Sequence, residues 1–84
     1  MTIDFISNYI ISRLLESGYT IKAVYKAKTN SFYIRFKHNN KIITIRISDH
    51  DSPWRYDYDF NINNKDFSLN QIEVLFNRLK NREI

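Results

Sequence analysis

The sequence predicts an α+β domain: an antiparallel four-stranded sheet with two helices packed on one face, in the order α-β-β-β-β-α. Three observations carry this. Apolar residues at three- and four-residue spacing are confined to the two ends of the chain. Four segments between them alternate apolar and polar residues with period two. Asn pairs and the single Gly stand where those segments must turn. Eighty-four residues make one domain, residues 1–84, with a core so small that each apolar side chain matters.

Residues 2–17 read as the first helix. Ile3, Ile6, Ile10 and Leu14 share a stripe that Phe5, Ile11 and Leu15 widen. Thr2 suits the N-cap, Asp4 the positive end of the dipole, and Gly18 the position after the helix. Residues 20–28 alternate as a strand, with Ile21, Ala23, Tyr25 and Ala27 expected inward and Lys22, Val24, Lys26 and Lys28 outward. After a Thr29-Asn30 turn, residues 32–37 place Phe32, Ile34 and Phe36 inward and Tyr33, Arg35 and Lys37 outward. Asn39-Asn40 tolerates the positive φ of a tight hairpin, with His38 beside it expected in solvent. Residues 41–48 are the most apolar strand and therefore central: Ile43, Ile45 and Ile47 face the core, and Ile42, Thr44, Arg46 and Ser48 face away. A loop from Asp49 to Trp54 holds the only proline. A fourth strand is expected over 55–62, with Tyr56, Tyr58, Phe60 and Ile62 inward. Ser68 and Gln71 have capping-box spacing, Phe67 can staple against Ile72, and Leu69, Ile72, Leu75, Phe76 and Leu79 form the buried stripe of the last helix.

Charge is sorted along the chain. Ser17 to Ser48 holds seven Lys or Arg and no Asp or Glu, whereas residues 49–66 carry five Asp against Arg55 and Lys65. The net charge of +4 is modest, so its distribution says more than its total. If the strands pair in order, Lys22, Lys26, Lys28, Arg35, Lys37 and Arg46 share one surface with Tyr33. Such a surface can follow a phosphate backbone and stack a base. The alternatives are solubility and edge protection by lysine, and pairing of Arg46 with Asp57 or Asp59 on the next strand.

The absence of cysteine excludes disulfides, a thiolate zinc site and a cysteine nucleophile. No apolar run reaches the roughly 18–20 residues that span a bilayer, so no membrane partner is expected, and the N-terminus does not read as a signal peptide. With one Gly, phosphate-cradling loops are out of reach. Asp49-His50-Asp51 is the one cluster resembling a catalytic or metal centre. Consecutive residues point in different directions and no second ligand cluster exists, which favours structure or partner contact; no metal or cofactor is expected. Trp54, in the loop, is the best interface aromatic.

The residues Ser31-Phe32-Tyr33, followed by Ile45-Arg46-Ile47-Ser48-Asp49-His50, form a motif of S-x-Y and then IR(I/L)S(D/N)H. With a tyrosine-containing loop, a short strand and a closing amphipathic helix, it resembles small phage and plasmid proteins, in particular the folded part of phage-encoded Cas9 inhibitors of the anti-CRISPR class. The resemblance covers roughly residues 31–80. The arginine-rich N-terminal extension of those inhibitors has no counterpart here, and the motif halves stand further apart. In topology the chain is also similar to the double-stranded-RNA-binding fold and to HicA-type toxins. The toxins' G-S-H motif is replaced by Asn30-Ser31-Phe32, and the RNA binders' basic helix start by Asn70, Gln71 and Glu73.

The resulting expectation is a non-enzymatic, mobile-element protein acting in the bacterial cytoplasm. It would bind a CRISPR effector, and its guide RNA, through Lys22, Lys26, Lys28, Tyr33, Arg35, Lys37, Arg46, His50 and Trp54. The alternatives are a small RNA- or DNA-binding module and a metal-dependent nuclease using Asp49, His50 and Asp51. An edge strand could also pair two copies into a homodimer.

Overall fold

The computed structural model describes residues 2–50 and 58–82. Helix α1 spans Ile3–Glu16, strands β1 Thr20–Lys26, β2 Ser31–His38, β3 Lys41–Ser48 and β4 Phe60–Asn63, a 3-10 turn Asn64–Asp66, and helix α2 Leu69–Lys80. The four strands form one sheet in the order β1-β2-β3-β4. Ile6, Ile10 and Leu14 of α1 and Ile72, Leu75 and Leu79 of α2 are buried in a single core with Ile34, Phe36, Ile45, Ile47 and Ile62 of the sheet. Both helices thus cover one face, and an ion pair from Arg13 to Glu73 at 2.8 Å links them.

Local chemistry explains the boundaries. Thr2 Oγ1 accepts the Phe5 amide at 3.1 Å, filling one of the donors that a helix start leaves unpaired. Gly18 ends α1 at φ 85°, a conformation that penalises a Cβ. Asn39 and Asn40 at φ 51° and 64° give the mirror-image turn whose twist matches the β2–β3 hairpin. Asn30 at φ 61° closes the β1–β2 turn through its amide to Ala27 O. Ser68 is the N-cap of α2 but makes no side-chain cap bond; the expected capping box with Gln71 does not form.

Two departures change which side chains share a face. The β3–β4 pair is parallel, with Arg46 opposite Asn61, so the sheet is mixed rather than wholly antiparallel. Strand β4 begins at Phe60, and residues 55–57 of the expected strand lie outside the described residues. In β1 the register slips between Ile21 and Ala23, making Lys22 the extra residue of a bulge. Beyond the bulge the faces are reversed from the alternation: Ala23 and Tyr25 lie opposite Arg35 and Tyr33, while Val24 and Lys26 lie opposite Ile34 and Phe32 on the helix side.

Candidate nucleic-acid interface

The reversal at the bulge builds a feature that simple alternation hides. Tyr25 now stands beside Tyr33 on the outer face, their rings stacked at 5.1 Å and 14°. Arg35 reaches the pair, with Nη2 donating to Tyr25 Oη at 3.4 Å and its guanidinium carbon 5.7 Å from the Tyr25 ring centre. Lys37 continues the row along β2, and Tyr25, Arg35 and Lys37 are all exposed. Two tyrosine rings stacked on each other, Tyr33 half-buried and Tyr25 exposed, thus stand beside two exposed cations on the outer face of the sheet.

The strip occupies half of the outer face. The other half is closed over Arg46, which is only 2% exposed. Arg46 Nη1 donates to Asn61 Oδ1 at 2.8 Å, and Nη2 lies 3.3 Å from both Ser31 Oγ and His50 Nε2. The Tyr58 ring centre is 5.8 Å from its guanidinium carbon. A guanidinium only donates, so His50 Nε2 must accept. The imidazole proton then sits on Nδ1 and is donated to Asp49 Oδ1 at 2.9 Å. Asp49 Oδ2 accepts from Asn30 Nδ2 at 2.7 Å. These bonds, from His50 first and Asn30 second, hold the Asp49 carboxyl below the ordinary aspartate range. No carboxylate lies within ion-pair distance of Arg46 among the described residues; Asp49 is linked to it through the His50 ring.

This network ties together the β1–β2 turn, the end of β3, and β4. His50 and Tyr58, which flank the β3-to-β4 connection, both sit on Arg46. The arrangement also limits chemistry. Both His50 nitrogens are engaged and a permanent cation faces Nε2, so His50 can neither ligate a metal nor act as a base without dismantling it. No group of three His, Cys, Asp or Glu suited to a metal exists among the described residues.

The sequence-predicted site residues therefore separate. Tyr33, Arg35 and Lys37 share the outer strip. Arg46 and His50 are on the same face but face inward onto each other, so Arg46 does not belong to a solvent-exposed basic surface. Lys26 lies on the helix side, its Nζ 3.4 Å from Asp4 Oδ1. Lys28 is in the β1–β2 turn and Lys22 in the bulge, both exposed. Trp54, Tyr56 and Asp51 fall outside the described residues. Tyr58, expected in the core, lies over Arg46 instead. His38 is not a solvent residue: it is 8% exposed, 5.5 Å from the Tyr19 ring, with Nε2 3.3 Å from Asn39 Nδ2. Asp59 does not pair with Arg46; its carboxylate accepts the Thr44 amide at 2.9 Å. Tyr25 is the strip residue that alternation misplaces, because the bulge at Lys22 that turns it outward leaves no mark in the period-two pattern.

No family model, no curated protein and no solved structure matches the chain. No described helix is long and apolar enough to cross a membrane.

Proposed function

We propose that this chain is a non-catalytic binding protein of a mobile element that blocks a CRISPR effector, Cas9-like in the first instance, by laying the Tyr25–Tyr33–Arg35–Lys37 strip on its guide RNA. The carrying observation is the stacked tyrosine pair beside two exposed cations. Unpaired bases stack on such rings, at about 1–3 kcal/mol per base, and the cations neutralise phosphates. The motif behind the anti-CRISPR resemblance, Ile45 to His50, supports the fold that presents the strip: its Arg and His hold the β3-to-β4 connection and leave the strip to make contact. Lys22 and Lys28, exposed at the bulge and the turn of β1, extend the same positive field.

The test is target-DNA cleavage by a purified Cas9–guide complex with increasing amounts of this chain. Inhibition at near-stoichiometric amounts is expected, with Arg35→Glu/Lys37→Glu abolishing it. Full cleavage at a large excess of wild-type chain would refute the inhibitor reading. The strip itself favours a second reading, a free RNA- or DNA-binding module. Its signature is affinity for naked single strands that falls with salt, by a slope of about 0.7 per phosphate contact.

A further inference from the structure

We propose that the hollow at the end of the tyrosine strip, between the end of α1 and the β2–β3 turn, takes one unstacked adenine, whose edge Asn39 reads. The proposal rests on the strip as a single-strand contact and adds what the strip lacks. Stacked rings and cations accept any sequence, because every base has a flat face and every nucleotide a phosphate. Base identity needs hydrogen bonds to a base edge, and in RNA these are made to bases splayed out of the stack.

The hollow, of about 480 Å³, is lined by Ser17, Gly18 and Thr20 from one side and by Lys37, Asn39 and Asn40 from the other. The Tyr19 and His38 rings line it as well. Lys37 belongs both to the hollow and to the strip, and Thr20 is its cross-strand partner, so the hollow continues the strip. From Tyr33 to Lys37 the strand advances about 13 Å. No lining residue is acidic, since all come from the stretch of the chain that holds no Asp or Glu.

The lining chemistry separates a base from an anion. One lysine stands among hydroxyl and amide groups, which accept as well as donate. Ser17 and Gly18 bring in the C-terminal end of α1, whose dipole is negative and whose last carbonyls lack intrahelical donors. An anion inside the hollow is opposed by that end, whereas a neutral base with an amino group is favoured by it. The phosphate stays at exposed Lys37 and the base enters.

Asn39 supplies the reader. Its backbone is set at φ 51° by the tight turn, and its Nδ2 lies 3.3 Å from His38 Nε2. An amide nitrogen only donates, so His38 Nε2 accepts and the Asn39 amide is held in one orientation. Its remaining N–H and its carbonyl oxygen form the donor–acceptor fork that matches adenine N7 and N6. His38, 8% exposed and 5.5 Å from the Tyr19 ring, is then a positioning residue that acts through Asn39.

The test is fluorescence anisotropy of the whole chain with oligo(U) RNAs of equal length that carry or lack one adenosine. The adenosine strand should bind at least about fivefold tighter, the lower end of what a bidentate side-chain–base pair supplies. Asn39→Gly keeps the turn, because glycine adopts positive φ readily, and should bind both strands with the wild-type affinity for oligo(U). His38→Phe, which removes the acceptor that orients Asn39, should also lose the preference and keep the affinity for oligo(U). A preference that comes from stacking alone would survive both substitutions. Its survival in either variant, or equal wild-type affinity for the two strands, would overturn the proposal and leave the strip standing. Binding of neither strand would overturn it together with the strip as a single-strand contact.

Discussion

Replacing Arg46 with leucine should destabilise the domain by about 3 kcal/mol without removing any charge from the exposed strip. The magnitude follows from what Arg46 touches. Its 2.8 Å bond to Asn61 is charge-assisted and contributes about 1.5–3 kcal/mol. The 3.3 Å contacts to Ser31 and His50 are longer and together add about 1 kcal/mol, most of it because Ser31, 1% exposed, loses a donor where water does not reach. Leucine returns part of this as apolar packing under Tyr58. For a domain of this size each kcal/mol moves the midpoint by about 4–8 °C, so the melting temperature should fall by about 12–24 °C. Urea unfolding followed by circular dichroism measures the same quantity independently. A buried arginine with neutral partners can also be replaced at no cost when the substitute packs well. A change below about 0.5 kcal/mol would show that outcome here and refute the claim that Arg46 holds the β3-to-β4 connection.

Other outcomes follow from the same geometry. The Asp49 carboxyl is held low, so its contribution is present above the ordinary aspartate value of 3.8 and is lost as pH falls below that through its lowered folded-state value. Melting temperature against pH should therefore fall less steeply on the acid side in Asp49→Asn than in the wild type; identical acid limbs would contradict the bonds to His50 and Asn30. Gly18→Ala should cost about 1 kcal/mol, because the position has φ 85° and an added Cβ meets nothing within 4 Å; the penalty is then purely conformational, and Gly18→Asn should cost less. A substantially larger loss on thermal unfolding would mean that the site is crowded. Ile45→Ala, at a fully buried position opposite Ile34, should cost about 2–5 kcal/mol and leave little folded protein at 37 °C.

The elements were legible where local chemistry decides them. The Ile3, Ile6, Ile10 and Leu14 stripe of α1, the Asn39-Asn40 turn and the inward isoleucines of β3 stand as the alternation and capping signals imply, because each depends on neighbours within a few residues; Phe5 and Leu15 of the wider α1 stripe, and Leu69 of the last helix, are exposed instead. What was not legible depends on distant backbone. Period-two alternation carries no mark of a one-residue bulge, so from Ala23 onward the assigned faces of β1 were inverted, which moved Lys26 to the helix side and Tyr25 to the outer face. Alternation is equally blind to strand direction. The sequence places the connection at residues 49–54, short enough for a hairpin, and only the start of β4 at Phe60 in the structure lengthens it. For the site, the chain's basic bias was visible, but burial of Arg46 was not, since a strand-face arginine looks the same in sequence whether it meets solvent or His50 and Tyr58. His38 could have been found: it continues the inward run Phe32, Ile34 and Phe36.

Binding through the outer face depends on which basic residues make contact. The decisive measurement compares Lys26→Glu with Arg35→Glu/Lys37→Glu, each confirmed folded, for binding to a Cas9–guide complex and to naked single-stranded RNA. Lys26, held on the helix side by Asp4, should bind as the wild type does, while the double variant should lose at least tenfold. Equal losses in both, or binding retained by the double variant, would contradict the assignment of the outer tyrosine–arginine strip as the contact surface.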